Sequence, residues 1–339
     1  MKKILLLLVF VSTTLFAQNK GRVVLDSLYS KVLENKMGES PKRAVAVYLP
    51  PNYDSTKQSY PVIYFLHGFF GDHTVLNEFS EVLDHAIEQK KIKPFILVVS
   101  DQKTSYFGSF YSNSKDFGRW EDFTAFDLVS YMDAKYRTIK NASSRGITGH
   151  SMGGYGALKI AMHHPDVFSS VYAISPGALD VVREYGPNSD TFKVLSTYNS
   201  YEDIKPSHYF SLVMLAFAKS WSSNASNPPF YCDMPFEYQG DELIVHKEIL
   251  EKWQKNMPVY MIDDNLENLQ KLTAIKMDWG RNAGLRFTQQ CEMFSQRLEN
   301  LGIKHFAEEY IGTHTSGIYT MDGRIPNSVL PFFNDYLKF

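Results

Sequence analysis

The chain has 339 residues, of which 44% are hydrophobic and 21% are charged, proportions that are ordinary for a globular protein. Its formal net charge of −2 gives no indication of a nucleic acid or an anionic membrane surface as a partner. The length is sufficient for one large α/β domain or two smaller ones.

The first segment has the layout of a secretory signal peptide. A basic start at residues 1–3 precedes a short apolar run at 4–10, and small and polar residues at 11–17 lead to a cleavage point after Ala17. The apolar run is shorter than a membrane-spanning helix requires, although an uncleaved anchor is the alternative. We therefore expect residues 1–17 to be removed, and residues 18–339 to be exported to the periplasm or the medium without stable membrane insertion.

The chain contains two cysteines, Cys232 and Cys291. Two cysteines are not a disulfide framework, but in an oxidising compartment they could pair, and the sequence leaves that question open. Their separation does not match any metal-ligand spacing. The sequence predicts neither a metal site nor a cofactor.

Apolar runs of strand length alternate with segments of helical spacing. Strands are predicted at residues 41–50, 61–67, 95–100, 145–150, 171–175, 273–277 and 304–310, and helices at residues 121–136, 153–163, 289–301 and 327–337. This alternation predicts an α/β fold with a mainly parallel central sheet and helices on both faces. Residues 179–270 break the rhythm and are rich in aromatic residues and proline. We interpret them as a lid-like insertion rather than a separate domain.

Residues 149–153 read Gly-His-Ser-Met-Gly, a G-x-S-x-G pattern centred on Ser151. The pattern alone is weak, but a short predicted strand precedes the serine and a helix rich in small residues follows it. That strand–turn–helix is the context of a nucleophile elbow in an α/β hydrolase. The sequence therefore predicts Ser151 as the nucleophile of an α/β-hydrolase fold.

A second element follows the predicted strand at 61–67, where His67 is followed by Gly68 and Phe69. In α/β hydrolases the loop after this strand supplies one oxyanion-hole N–H, and the residue after the nucleophile supplies the other. The N–H groups of Phe69 and Met152 are therefore the predicted donors. The position of His67 before the glycine favours a loop-stabilising role over that of a base.

The catalytic base should follow the nucleophile and the acid in the chain. His314 lies just past the predicted strand at 304–310, where a loop at the carboxyl edge of the sheet would present it. By contrast, His305 opens that strand at the opposite edge, and His163 and His164 end a helix. We predict that His314 is the base.

Several segments then resemble a known family. They are VYLPPNY at 47–53, FLHG at 65–68, GSFYSNS at 108–114, RWEDF at 119–123, GHSMGGYGAL at 149–158, HPDVFSSV at 164–171 and GTH at 312–314. They resemble the esterase family that includes esterase D (S-formylglutathione hydrolase), the feruloyl esterases and the mycobacterial antigen 85 mycolyltransferases. The resemblance covers about residues 40–178 and 272–339.

The resemblance implies roles for individual residues. It implies Ser151 as nucleophile, His314 as base, and Phe69 and Met152 as oxyanion donors. It also implies that Tyr111 and Trp120 lie near the acyl or leaving-group site, with ordinary core packing as the alternative for these two.

The acid is where the sequence departs from the family. The family usually has an aspartate or glutamate three residues after the glycine of a strand-end D-x-G. Here that motif begins at Asp278, and the position of the acid is Ala283. We predict that Asp278 replaces the missing acid, with Asp180 and a water-linked Glu292 as alternatives.

The resemblance therefore implies a secreted serine esterase that acts on a small-molecule or carbohydrate ester. It would use a Ser-His-acid mechanism with an acyl-enzyme intermediate. Acyl transfer to a sugar and a catalytically silent binding protein of the same fold are the alternatives.

Overall fold

The computed structural model describes residues 20–187, 189–284 and 286–339. The predicted signal peptide, residues 1–17, lies outside them. Among the described residues, no helix has both the length and the apolar character that crossing a bilayer requires.

The described residues contain twelve strands, of which eight form the central sheet. In chain order the strands are β1 (Arg22–Tyr29), β2 (Lys42–Leu49), β3 (Val62–Leu66), β4 (Ile96–Ser100), β5 (Asn113–Ser114), β6 (Gly118–Arg119), β7 (Arg145–His150), β8 (Ser170–Ile174), β9 (Phe236–Gln239), β10 (Glu242–Val245), β11 (Ala274–Gly280) and β12 (Phe306–Tyr310). The sheet order is β1-β2-β4-β3-β7-β8-β11-β12. Within this sheet, as far as the structure describes it, only the β1–β2 and β2–β4 pairs are antiparallel. The prediction of a mainly parallel sheet is confirmed.

The helices surround this sheet. They are α1 (Leu76–Glu88), α2 (Trp120–Asp122), α3 (Val129–Lys135), α4 (Met152–His163), α5 (Val181–Tyr185), α6 (Thr191–Leu195), α7 (Tyr209–Trp221), α8 (Lys247–Gln254), α9 (Pro258–Met261), α10 (Leu266–Lys271), α11 (Phe287–Asn300) and α12 (Leu330–Tyr336). Two π-helical turns, Phe123–Leu128 and Ile325–Val329, run directly into α3 and α12. The predicted helix at 121–136 therefore contains such a turn, and the predicted helix at 327–337 overlaps the other.

The sheet is buried on both faces. Along β3, Tyr64 and Leu66 belong to the core cluster that includes α4, whereas Ile63 and Phe65 belong to the cluster that includes α1 and α12. Successive side chains of a strand point to opposite faces, so a strand covered on both sides needs an unbroken apolar run. The sequence of β3 has this run, which is why it was predictable.

The segment between β8 and β11 contains helices α5 to α10 and the β9–β10 hairpin. It shares the larger core cluster with the sheet, through Met214, Phe217 and Trp253 among others. Its cysteine, Cys232, and Cys291 of α11 are both buried and both free. Aromatic side chains of the segment, such as Phe217 and Trp253, thus pack against the rest of the molecule.

Candidate active site

Ser151 occupies a strained turn between β7 and α4. Its backbone lies at φ 58° and ψ −114°, a conformation that non-glycine residues adopt only where the surroundings enforce it. Strand β3 approaches the backbone of this turn closely at two points: a Cβ on Gly149 or on Gly153 would overlap the carbonyl of Leu66. The small residues of the motif therefore let strand and helix pack closely enough to form the turn.

His314 lies against this serine. Its Nε2 is 2.8 Å from the Ser151 Oγ, the reach that proton transfer from a nucleophile requires. When Nε2 accepts the hydroxyl proton, the proton of the neutral imidazole is on Nδ1. Burial, and after it the charge of Arg324, lowers the pKa of His314 to about 4. At neutral pH the imidazole is therefore uncharged and able to accept a proton.

The other ring nitrogen of His314 is not engaged. Its Nδ1 is buried and has no hydrogen-bond partner among the described residues. The ring is flanked by Phe287 and by His150, with centroid distances of 4.9 Å and 4.7 Å. His150 also donates from Nε2 to the His314 carbonyl over 3.0 Å. Ring contacts and a backbone hydrogen bond therefore hold the base, where a triad would use a carboxylate.

Asp278, the predicted acid, does not contact His314. Its Oδ1 is 2.5 Å from Arg324 Nη1 and also accepts from the Ser175 N–H, while its Oδ2 accepts from the Tyr172 hydroxyl over 2.8 Å. These three donors satisfy a carboxylate buried at the end of β11. The structure corrects the prediction: Asp278 holds neighbouring loops together instead of orienting the imidazole.

The alternative acids are also engaged or directed elsewhere. Asp180 caps α5 by accepting from the N–H of Arg183 over 3.3 Å, and Glu292 is exposed on α11. Ala283, at the position where the family places its acid, is buried in a loop next to the base, where the Asn282 N–H donates to the Gly312 carbonyl over 2.9 Å. A methyl group at this position offers the base no hydrogen-bond acceptor.

The predicted oxyanion donors flank the nucleophile. A Cβ built on Gly68 would lie 3.4 Å from the His150 carbonyl oxygen and 3.7 Å from the Ser151 Cβ, so the loop carrying Phe69 lies against the elbow. Met152 is the first residue of α4, and the N–H at that position of a helix has no acceptor within the helix. The residues that carry these two N–H groups are therefore close to the nucleophile, and their role as oxyanion donors stays a prediction.

His67 fixes the loop that carries Phe69. Its Nε2 accepts from the Gln102 N–H over 2.9 Å, so the imidazole proton is on Nδ1, which donates to the Gly68 carbonyl over 2.9 Å. Complete burial lowers the pKa of His67 and favours this neutral form. The contacts are those of the loop-stabilising residue that the sequence predicts.

The structure does not place Tyr111 or Trp120 at the substrate site. Tyr111 is 0% exposed, and its hydroxyl donates to the His67 carbonyl over 2.8 Å, beneath the loop. Trp120 is also 0% exposed and donates to the Phe117 carbonyl over 2.9 Å. Neither lines the cavity at Ser151. The prediction that they lie at the acyl or leaving-group site is therefore corrected, and core packing is the reason.

A cavity of about 50 Å³ lies beside Ser151. Its apolar walls include Phe69, Phe110 and Phe287 on one side and Tyr209, Val213 and Phe217 of α7 on the other. The sequence analysis missed the α7 residues. Their aromatic character was visible, but an inserted segment gives no local pattern that says which side chains reach the nucleophile.

Comparison with known proteins identifies the family to which the chain is similar. Residues 35–321 match the family model described as "Putative esterase". A 163-residue stretch is 31% identical to Esterase Rv1288 of Mycobacterium tuberculosis. The matched stretch is 47% of this chain and 34% of that protein. The chain thus spans about one third of the length of that relative.

Solved structures share the fold. A ferulic acid esterase superposes with a TM-score of 0.63 at 22% identity, over 94% of this chain and 99% of the other. An S-formylglutathione hydrolase from Agrobacterium tumefaciens superposes with a TM-score of 0.61 at 16% identity, over 94% and 97% of the two chains. With most of its length matched by the family model, the chain belongs to this esterase family and has the α/β-hydrolase fold.

Proposed function

We propose that the chain is an exported serine esterase that hydrolyses carboxylic esters, with Ser151 as nucleophile and His314 as general base. The observation that carries the proposal is the 2.8 Å contact between His314 Nε2 and the Ser151 Oγ on a strained turn. A serine hydroxyl is a weak nucleophile until a base of this kind accepts its proton. The layout of residues 1–17 supports export.

The reaction follows from the placement of these groups. The Ser151 Oγ attacks the ester carbonyl carbon while His314 takes the hydroxyl proton, and the Phe69 and Met152 N–H groups stabilise the resulting oxyanion. The intermediate expels the alcohol, which receives the proton from His314, and leaves an acyl group on the serine. A water molecule then attacks this acyl-enzyme with His314 again as base, releasing the carboxylic acid and the free hydroxyl.

The base works without a carboxylate partner in this proposal. In a triad the acid fixes the imidazole tautomer and stabilises the imidazolium, and its loss costs on the order of 10⁴ in kcat. Nucleophile, base and oxyanion donors still supply the remaining acceleration. We therefore propose slow turnover through a Ser151–His314 dyad.

The cavity supports a short, uncharged acyl group. It holds about 50 Å³ and its walls carry no charged side chain, so a charged acyl group would lose its hydration without compensation. The cavity is several times the roughly 10–15 Å³ that a single water molecule needs, so it has room for a short acyl group such as acetyl. Helix α7 forms part of the wall, and we propose that residues 179–270 act as a lid over the site.

The test uses p-nitrophenyl acetate and a fluorophosphonate probe with the mature protein. We expect slow ester turnover and labelling of one serine, both lost in Ser151→Ala. The matched control is Ser226→Ala, which removes an exposed serine of the inserted segment and should change neither readout. Absence of turnover and of Ser151-dependent labelling in the folded wild type would overturn the proposal.

One observation favours a second candidate, a silent binding protein that keeps the fold. It is the unpartnered Nδ1 of His314, which leaves the base without the group that orients it in a triad. This candidate predicts ligand binding at the cavity with no labelling of Ser151. The probe experiment separates the two, because labelling requires an activated nucleophile.

A further inference from the structure

Three potential metal ligands converge at the far end of α4. Glu121 lies in α2, His163 is the last residue of α4, and His164 follows it. The Glu121 Oε1 lies 2.6 Å from His163 Nδ1 and 3.1 Å from His164 Nε2. The ligand atoms of the three residues all lie within 4.8 Å of one another.

The two oxygens of Glu121 have different neighbours. The Oε2 faces Lys159 Nζ at 3.5 Å, and that ammonium also donates to the Ser112 Oγ and the Asn256 Oδ1 over 2.8 Å and 2.7 Å. The buried ion pair is thus satisfied on one oxygen. The other oxygen faces two imidazoles that the ion pair does not require.

The surroundings also favour a cation on the histidine side. The carbonyl end of a helix carries partial negative charge, and this cluster is at the carbonyl end of α4. The Glu121 side chain is 7% exposed, whereas those of His163 and His164 are 30% and 18% exposed. An ion could therefore reach the carboxylate past the two rings.

We propose that Glu121, His163 and His164 form a site for a divalent transition-metal ion, most suitably Zn²⁺. Two imidazole nitrogens and one carboxylate oxygen are ligands that zinc prefers, and water would complete a tetrahedron. On binding, His163 Nδ1 and His164 Nε2 offer lone pairs, and the proton of each neutral imidazole moves to its other ring nitrogen. The carboxylate already has the supporting contact with Lys159 that metal-bound carboxylates commonly show.

This site is separate from the proposed esterase centre. The 12 residues of α4 at a rise of about 1.5 Å each put its two ends roughly 18 Å apart, with Ser151 at the first and the cluster at the last. The ion would join α2 to the end of α4. Its effect is therefore on stability, and it holds whether or not the chain is an esterase.

The test is a calorimetric titration of the mature, tag-free protein with ZnCl₂. We expect one saturable site with a dissociation constant in the micromolar range, and at least about tenfold weaker binding in His163→Gln and in His164→Gln. His246→Gln is the matched control, because His246, just after β10, faces Glu237 at 3.0 Å as a pair to which the described residues add no third ligand. That variant should bind zinc like the wild type.

Two further measurements keep the proposal falsifiable. Zinc should raise the Tm of the wild type and of His246→Gln by about 3–5 °C and leave His163→Gln unchanged. Cobalt(II) should give the strong visible absorption of a tetrahedral site. Absence of saturable binding in the wild type, or binding as tight as that of the wild type in both His163→Gln and His164→Gln, overturns the proposal. Glu121→Gln is a third variant, and if it fails to fold, the partly exposed histidines decide the outcome.

Discussion

The two halves of the candidate site are built differently. On the nucleophile side, Ser151 is held by close backbone packing, and the neighbouring loop is fixed by both ring nitrogens of His67. On the base side, His314 reaches the serine with one ring nitrogen, and its other nitrogen has no partner among the described residues. The acid's usual position, Ala283, is buried in the adjacent loop.

This difference shows which parts of the machinery the fold itself requires. The elbow depends on the contact between β3 and α4, so a change there disturbs the sheet. The acid depends on one side chain in a loop, and a methyl group at that position leaves the loop's backbone contacts in place. Catalytic power can therefore be reduced on the base side without loss of the fold.

The largest effect is expected from Gly153→Ala on the nucleophile side. The added methyl group would overlap the Leu66 carbonyl, a backbone group at the end of the central strand β3 that cannot move aside. We expect loss of several kcal/mol of stability, or no soluble protein. Thermal unfolding followed by circular dichroism measures this. Gly317→Ala, at an exposed loop glycine with nothing near its Cβ, is the control for a strained backbone alone.

The next largest effect is a gain in kcat/KM from a substitution on the base side of the site. Ala283→Asp puts a carboxylate where the family has its acid, and we expect kcat/KM for p-nitrophenyl acetate to rise by about 10- to 100-fold, part of the roughly 10⁴ that a triad acid supplies. Ala283→Asn has nearly the same shape without the charge and should give little gain. Equal rates in all three proteins would show that position 283 does not reach His314.

A third prediction concerns pH. The base is active when neutral, and the pKa of His314 is lowered to about 4, so wild-type kcat/KM should stay level from neutral pH down to about 5 and halve near pH 4. A carboxylate partner favours the imidazolium, so Ala283→Asp should move this acid limb to higher pH. Circular dichroism at each pH distinguishes titration of the base from unfolding. A wild-type midpoint above pH 6 would contradict the lowered pKa.

The sequence was informative where function demands a local pattern. The elbow, the glycine loop after β3 and the histidine after β12 are short motifs next to predictable strands, and the structure brings Ser151, Phe69 and His314 together. Strand β1 was missed because its residues alternate between exposed and half-buried positions without a clear apolar face. Helix α1 was missed although its spacing shows it, through Leu76, Phe79, Val82, Leu83 and Ala86.

The sequence was uninformative where a contact joins distant segments. Asp278 was predicted from its place at a strand end, but Arg324, 46 residues further on, binds its carboxylate. Likewise Glu121 is 42 residues from His163, so no ligand spacing predicted their convergence. In each case the decisive neighbour comes from a distant segment of the chain.

We expect the smallest change in turnover from Asp278→Asn. This substitution tests the difference between the nucleophile side and the base side most directly. Asp278 has the position of a catalytic acid but the contacts of a structural one, since Arg324, Tyr172 and Ser175 occupy its oxygens. Removing its charge leaves a buried guanidinium unpaired and should lower stability by about 3 kcal/mol. Because the carboxylate does not touch His314, kcat/KM of the folded variant should change less than about threefold, as in Asp180→Asn.

A fall in kcat on the order of 10³ or more, with the fold intact, would mean that Asp278 swings to the imidazole during turnover. The two halves of the site would then share a complete triad, and Ala283 would not mark a lost function.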